Sequence, residues 1–484
     1  MTRILFATSE VYPLIKTGGL ADVSGSLPPA LRELGYDVQL LLPGYPAALS
    51  RARDSGAVCE ASLSVDGFDV RLWQSQLPDT DVPLWLVDCP PLFDRAGNPY
   101  QNDRGEDWSD NARRFHLFAR VAALIAQGEA GLEWIPDIVH CNDWQSALIP
   151  ALLASCPNRP GSVFTIHNLA YQGLFSRDTF NELGLDDSLW HFENLEFYGQ
   201  LSFIKGGLVF SDRITTVSPE YAREIRTPEY GYGLDGLLRH RKDRLSGILN
   251  GIDTGLWDPQ TDQHLPSHYR ADDLRGKVWC RTSLCRELGL EAGSGPILGF
   301  IGRLVEQKGV DWLIAAIPPL LEKGCRFAIL GSGEERYETP LKQLARDWPG
   351  RFSLTIGYNE GLAHRITAGC HMFLMPSRFE PCGLNQMYSL HYGTLPVVHG
   401  VGGLKDTVFD PLSSTMETAN GFCFQEAGGD ALHATIERAL ETLGQPRVWR
   451  QLQKNAMSGD YSWTRSAEHY GHLYQRILAE RQAV

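Results

Sequence analysis

The sequence predicts an α/β protein of two doubly wound domains, each built on a parallel sheet. Two observations carry this. Short apolar runs recur without polar alternation, as expected of strands covered on both faces. Helical patterns lie between many of them, which implies parallel strands joined by right-handed crossovers. The runs also fall into two series separated by a turn-rich stretch. A length of 484 residues, 43% of them apolar, suits two large domains, or about three at roughly 150 residues each.

In chain order, the first series reads as strands at Ile4–Thr8, Val38–Leu42, Pro83–Val87, Ile138–His140, Val163–His167 and Ile214–Val217. Between the third and fourth, Phe115, Phe118, Ala122 and Ile125 make a helical stripe. The series ends near Gly247. Asn250-Gly251-Ile252-Asp253 and Trp257-Asp258-Pro259 then read as connector. The second series has strands at Ile297–Ile301, Phe327–Leu330, Phe352–Ile356, Met372–Met375 and Leu395–Val398. This sets a first domain over 1–247, a linker over 248–258 and a second domain over 259–460. Residues 461–484 form a helical tail whose apolar stripe, Tyr470, Leu473, Tyr474, Ile477 and Leu478, requires burial.

Charge excludes one class of partner. With 44 basic and 58 acidic residues the net is −14, and no basic block offers a face to nucleic acid. A phosphate-bearing ligand must be held by a few placed cations. The ten cysteines include no CxxC pair, which argues against zinc and a redox dithiol, and scattered thiols suit a reducing cytosol. The apolar run at Ile4-Leu5-Phe6-Ala7 is too short for a secretory core, and no run reaches the roughly 18 residues of a membrane span. The expected location is the cytoplasm.

The chemistry-bearing clusters fall at strand ends, where ligands bind in such folds. The first is Glu10 to Asp22, with Lys16-Thr17-Gly18-Gly19. Its glycines let backbone approach a ligand and Lys16 can meet an anion; the same residues also fit a Gly-rich loop with a solvated lysine. His140-Cys141-Asn142-Asp143-Trp144 and His167-Asn168 follow two further strands. In the second series, Gly302-Arg303 to Lys308-Gly309 joins a strand to a helix, with an Arg fork and a Lys point charge for phosphate. Ser377 to Leu384 places Glu380 beside Pro381, Cys382 and Gly383. Glu380 suits sugar hydroxyls, and Cys382 reads as structural because no His partner is identifiable. Gly331-Ser332-Gly333 also follows a strand. Gly231-Tyr232-Gly233-Leu234-Asp235-Gly236 matches a dinucleotide fingerprint only formally, since a helix-like segment precedes it. Asp79-Thr80-Asp81 has the DxD spacing of metal-dependent transferases but reads as a turn beside Pro78 and Pro83. No metal and no cofactor are expected.

Together, Lys16 to Asp22, Phe164 to Gly173, Arg303 to Gly309, Pro376 to Leu384 and Tyr392-Gly393-Thr394-Leu395-Pro396 resemble bacterial glycogen synthases and plant starch synthases, in order along essentially the whole chain. The resemblance implies a GT-B fold: two Rossmann-like domains facing across a cleft, with the C-terminal helix returning to the first. It implies retaining, metal-independent transfer of glucose from ADP-glucose to the non-reducing end of an α-1,4-glucan. Lys16, with Gly18, Gly19 and Asp22, would face the donor diphosphate from the first domain, and Arg303 and Lys308 from the second. Glu380 and the backbone of Cys382, Gly383 and Leu384 would hold the transferred glucose. His167 and Asn168 would meet the sugar, and Asp143 would lie near the reacting centre. Glu10, Tyr100 and Trp144 are implied cleft residues on the acceptor side.

Asn385 stands where the family commonly has Thr, and His399-Gly400-Val401 replaces a more basic stretch. Tyr388 occupies the place of the second Glu found in many related transferases. Three alternatives remain at this level: the same reaction with UDP-glucose, a non-catalytic glucan-binding relative, and a hydrolase working through Asp143 and Glu380. A hydrolase has no use for Lys16, Arg303 and Lys308, and a degenerate relative would have lost a charged group.

Overall fold

The computed structural model describes residues 1–293 and 295–482. The chain divides into two compact units. Unit 1 comprises Met1–Val217, Ala222–Asn250 and the stretch from Trp463 onward; unit 2 comprises Ser218–Tyr221 and Gly251–Ser462. None of the described helices is long and apolar enough to cross a membrane.

Unit 1 holds β1 (Arg3–Ala7), β2 (Asp37–Pro43), β3 (Val58–Val65), β4 (Phe68–Gln76), β5 (Pro83–Asp88), β6 (Ile138–Asn142), β7 (Gly161–Ile166), β8 (Leu174–Phe175), β9 (Glu196–Phe197), β10 (Gln200–Ser202), β11 (Arg213–Thr216) and β12 (Leu245–Gly247). Nine of these form one sheet in the order β12-β11-β7-β6-β1-β2-β5-β4-β3. The strands from β12 to β5 run parallel, and β3 and β4 add an antiparallel hairpin at one edge. The central strands are buried almost throughout, so apolar residues dominate them, although Gln39, His140, Asn142 and Thr165 are buried there too. β3 is largely exposed and alternates with polar residues, so it carries no comparable signal.

Unit 2 holds β13 (Ile297–Ile301), β14 (Arg326–Gly331), β15 (Phe352–Ile356), β16 (Met372–Met375), β17 (Leu395–His399) and β18 (Phe422–Phe424). Their order is β15-β14-β13-β16-β17-β18, all parallel. Leu298, Phe300, Leu313, Ile317, Leu320 and Leu374 belong to the core packed on this sheet. Strand ends differ from the sequence expectation by at most two residues; β3, β4, β12, β18 and the small sheet β8-β10-β9 were not anticipated.

The tail forms the helix Trp463–Gln482, which belongs to unit 1 and packs on the helix Gly19–Glu33. Its stripe is buried at Tyr470, Leu473, Tyr474 and Ile477. The docking is polar as well as apolar. The buried ring of His140 on β6 meets the Tyr474 hydroxyl at 2.7 Å through Nδ1 and Thr165 Oγ1 at 2.7 Å through Nε2. Burial pushes the His140 pKa down to about 3, so the ring is neutral. Glu480 further along pairs with Arg213 and Arg244. Tyr474→Phe, which leaves one His140 nitrogen without a partner, is expected to cost about 1–3 kcal/mol. Truncation after Ser462, which strips the whole stripe, should cost far more and yield aggregating protein. Urea unfolding checks both; a truncated chain with an unchanged midpoint would show that the helix contributes nothing to unit 1.

Candidate functional site

In unit 2 the strand order reverses between β13 and β16, because β13 proceeds to β14 and β15 on one side while β16 opens the other. The loops leaving these two strands are the Arg303–Lys308 and Ser377–Leu384 segments, placed side by side at such a reversal as doubly wound folds require of a ligand crevice. Across it, Lys308 Nζ donates to Glu380 Oε2 at 2.5 Å. The Ser377 hydroxyl donates to the same oxygen at 2.9 Å. Side-chain exposures of 22% and 8% make this a substantially desolvated pair. Arg303 is exposed and has no side-chain partner among the described residues, so its fork is available for an anion.

The Glu380 loop is shaped by close backbone packing. Gly402 has φ +46, and a Cβ there would lie 1.9 Å from the Glu380 carbonyl oxygen; one on Gly403 would lie 2.1 Å from that of Cys382. Gly403 N–H donates to Glu380 O at 3.1 Å. Cys382 is buried. The departures from the family pattern have structural work in this unit. Asn385 donates through Nδ2 to Ile301 O at 2.9 Å, tying the start of the helix Asn385–His391 to the end of β13. His399 donates from Nδ1 to Ser377 O at 2.8 Å and stacks on Phe424. Arg378 makes a bidentate pair with Asp311 at 2.7 Å and 2.7 Å and so belongs to the scaffold.

In unit 1 the order reverses between β1 and β6, and the loops from these strands carry the predicted residues. Glu10 is buried and organises the first loop. Its carboxylate accepts the Thr17 N–H at 2.5 Å, the Gly18 N–H at 3.1 Å, the Thr17 hydroxyl at 2.5 Å and the Tyr100 hydroxyl at 2.6 Å. Glu10 and Tyr100 therefore hold the loop in shape. Lys16 pairs with Asp22 at 2.7 Å, with side chains 40% and 24% exposed. Exposed pairs contribute about 0–1 kcal/mol, so a phosphate can replace Asp22 at little cost. A Cβ at Gly18 or Gly19 would meet nothing within 4 Å, and Gly18 has ordinary extended backbone. Neither packing nor backbone conformation explains these two glycines, in contrast to Gly402 and Gly403.

Asp143 ends β6 with φ 56 and ψ −179, a region nearly exclusive to glycine whose occupation costs of order 1–3 kcal/mol. Its Oδ1 accepts the His167 N–H at 2.8 Å. Burial raises its pKa to about 7, against hydrogen bonds from the backbone of His167 and Asn168 and with the help of the Glu10 charge. Burial lowers the His167 pKa to about 3, so that ring is neutral. Asn142 Nδ2 donates to Ala7 O, so its Oδ1 accepts from His167 Nε2 at 2.9 Å. His167 therefore carries its proton on Nε2 and leaves Nδ1 as an acceptor. Trp144 corrects an expectation. It is buried beside Phe115, Phe175 and Phe203, and supports the loops from beneath instead of lining a binding surface.

Within unit 1 the fold gathers Glu10, Lys16, Gly18, Gly19, Asp22, Tyr100, Asp143, His167 and Asn168 around one reversal. Within unit 2 it gathers Arg303, Lys308, Glu380, Cys382, Gly383 and Leu384 around the other. Asp79 and Asp81 lie in a turn outside both, where Asp81 pairs with Arg32. Gly331 and Gly333 admit the backbone of the Arg303 loop, since a Cβ on either would strike Gly302 O or Leu304 O. Sequence reasoning missed Tyr358, which follows β15 and Gly357 and is 79% exposed. The signal was present: a strand, a glycine and then an aromatic at the ligand edge. No group of three His, Cys, Asp or Glu among the described residues could hold a metal ion.

Comparison with known proteins bears on the family and the fold. The starch synthase catalytic domain family matches residues 3–240, and glycosyl transferases group 1 matches residues 295–442. A glycogen synthase of Marinobacter nauticus is 66% identical over 480 residues, covering 99% of this chain and 98% of that one. One from Cellvibrio japonicus is 57% identical over 481 residues, covering 99% and 100%. Among solved structures, the catalytic domain of starch synthase IV from Arabidopsis thaliana, bound to ADP and acarbose, superposes with a TM-score of 0.88 at 33% identity, covering 99% of each chain.

The Asp143 carboxyl generates a pH prediction. A raised pKa means that the folded state favours the protonated form. That stabilisation is complete below about 4 and is lost as pH rises through about 7. Asp143→Asn mimics the protonated group. Calorimetry should therefore show the melting temperature of the native chain falling relative to the variant between about pH 4 and pH 7, and levelling off above that. A constant difference over that range would place the carboxylate in an environment that does not oppose its charge.

Proposed function

We propose, for a chain that belongs to the glycogen and starch synthase family of glycosyltransferases, that it transfers glucose from ADP-glucose to the non-reducing 4-hydroxyl of an α-1,4-glucan with retention. The observation that carries the reading is the Lys308–Glu380 pair beside the unpartnered Arg303 at the reversal point of unit 2. It combines what a sugar diphosphate needs: cations for the leaving group and a carboxylate for sugar hydroxyls. The ADP in the starch synthase IV structure supports the adenine nucleotide over uridine, and Tyr358 offers an exposed ring face for the base.

Breaking the bond from glucose C1 to the phosphate oxygen puts negative charge on the diphosphate and oxocarbenium character on the sugar. Arg303 and Lys308 stabilise the first as it develops, and Lys16 supplies a further cation. Glu380 exchanges its bond from Lys308 for glucose hydroxyls when Lys308 turns to phosphate, and the backbone of Cys382, Gly383 and Leu384 adds to that contact. His167 accepts a sugar hydroxyl through Nδ1. Asp143, with Asn168, fixes the backbone that presents it. Ten free thiols suit a reducing cytoplasm.

The deciding experiment incubates the protein with ADP-glucose and glycogen and measures ADP release, with UDP-glucose as the parallel donor. Release without a glucan product would sink the transfer reading. Arg303→Ala should lower kcat about 10²–10³-fold, or about 3–4 kcal/mol, with an unchanged melting temperature because the Arg303 side chain has no partner among the described residues. Lys308→Ala should lower kcat similarly and also destabilise, since Glu380 is left buried without its counter-charge, by about 3–5 kcal/mol. Adding Glu380→Gln should restore stability but not kcat. A raised KM at normal kcat for both cation variants would make them uniform binders instead.

A further inference from the structure

Five non-glycine residues among those described have positive φ: Asp66, Asp79, Asp143, Tyr198 and Tyr232. Asp143 is the strained case described above; aspartate otherwise reaches positive φ more readily than most side chains, and for a bulky aromatic it is an outlier. Tyr198 (φ 49) and Tyr232 (φ 48) nonetheless hold it, with 83% and 42% exposure, and Tyr171 close by is 55% exposed. Backbone strain that presents large rings to solvent points to a use for those rings.

The three are neighbours. Tyr232 lies in the Gly231-Tyr232-Gly233-Leu234 turn, closed by Leu234 N–H donating to Gly231 O at 2.7 Å. A Cβ on Gly233 would sit 3.0 Å from Phe197 Cζ and 3.6 Å from Tyr198 Cε2, so glycine lets the turn lie against the end of β9. Gln172 Nε2 donates to Tyr232 O at 3.1 Å. Burial, and after it the Tyr171 hydroxyl, raises the Tyr232 pKa, consistent with adjacent phenols. The patch is continuous with the sugar-binding residues of unit 1, because Tyr171 N–H donates to Asn168 O at 3.2 Å.

We propose that Tyr171, Tyr198 and Tyr232 form an outer platform on which an α-1,4-glucan acceptor lies beyond its reacting end. The proposal rests on the glucosyl-transfer reading of the adjoining site. Several rings with apolar faces and hydroxyl rims match a repeating, uncharged polyol whose sugar faces are apolar and whose edges are hydroxyls. A nucleic acid also stacks on aromatics, but the charged groups around these rings include Glu196, Glu229 and Asp235, and Arg239 is already paired with Asp235 at 2.6 Å.

The test uses Tyr198→Asn and Tyr232→Asn, singly and together, because Asn accepts left-handed backbone while removing the ring. Initial rates are measured with maltose and with maltoheptaose, and maltoheptaose binding is measured by calorimetry without donor. The expected result for the double variant is a drop of about tenfold in the ratio of kcat/KM for maltoheptaose to that for maltose, with a matching loss of binding. The Tyr→Phe variants should retain most of both. An unchanged ratio and unchanged binding, or an equal fall for both acceptors, overturns the platform. If the native chain transfers glucose to neither acceptor, the transfer reading fails, and the calorimetric comparison still decides whether these rings hold a glucan.

Discussion

In a parallel sheet every strand ends at the same edge, and where strand order reverses, two neighbouring loops leave in opposite directions. Nearly everything functional in this chain depends on that constraint. It brings the loop after β1 beside the loop after β6, although about 130 residues separate them, and it brings Arg303 and Lys308 beside Glu380. No local propensity could do this. The helices and the buried strands serve to hold two such edges rigid, and the loops then need only a few side chains to become chemical.

The two edges are tuned differently. Lys308 and Glu380 are desolvated and coupled, so each charge is costly without the other. Lys16 and Asp22 are exposed and weakly coupled. One edge is therefore preorganised and the other exchangeable. A ligand that competes for Lys308 must offset the loss of its partner carboxylate, so a fully charged group competes better than a neutral one. Arg303, without a competing partner, sets no such threshold.

How much of this was legible follows from the same physics. The central strands were readable because burial on both faces keeps most of each run apolar, although Gln39, His140 and Thr165 are buried among them. The hairpin β3-β4 was not, because one strand faces water and its pattern dissolves into ordinary surface composition. The cations and Glu380 were readable because they stand directly after strands. The role of Glu10 was not, because its meaning lies in a hydroxyl 90 residues away. Trp144 was misplaced because an aromatic beside a polar cluster looks the same in sequence whether it faces a ligand or the core. Tyr198 and Tyr232 were invisible as a pair, since only backbone angles and proximity distinguish them from other exposed tyrosines.

The helix Trp463–Gln482 has a consequence for how the molecule is made. Unit 1 takes most of its residues from the stretch before unit 2, yet part of its core, the helix Trp463–Gln482, follows the whole of unit 2 along the chain. Until that helix is made, His140 on a central strand lacks Tyr474, and the face that receives the helix is bare. Unit 2, almost wholly contained in one continuous stretch, can close before the earlier-synthesised unit is complete. The usual vectorial order, N-terminal unit first, is thereby inverted. A chain terminated before Trp463 carries all of the second unit and a first unit without its last helix.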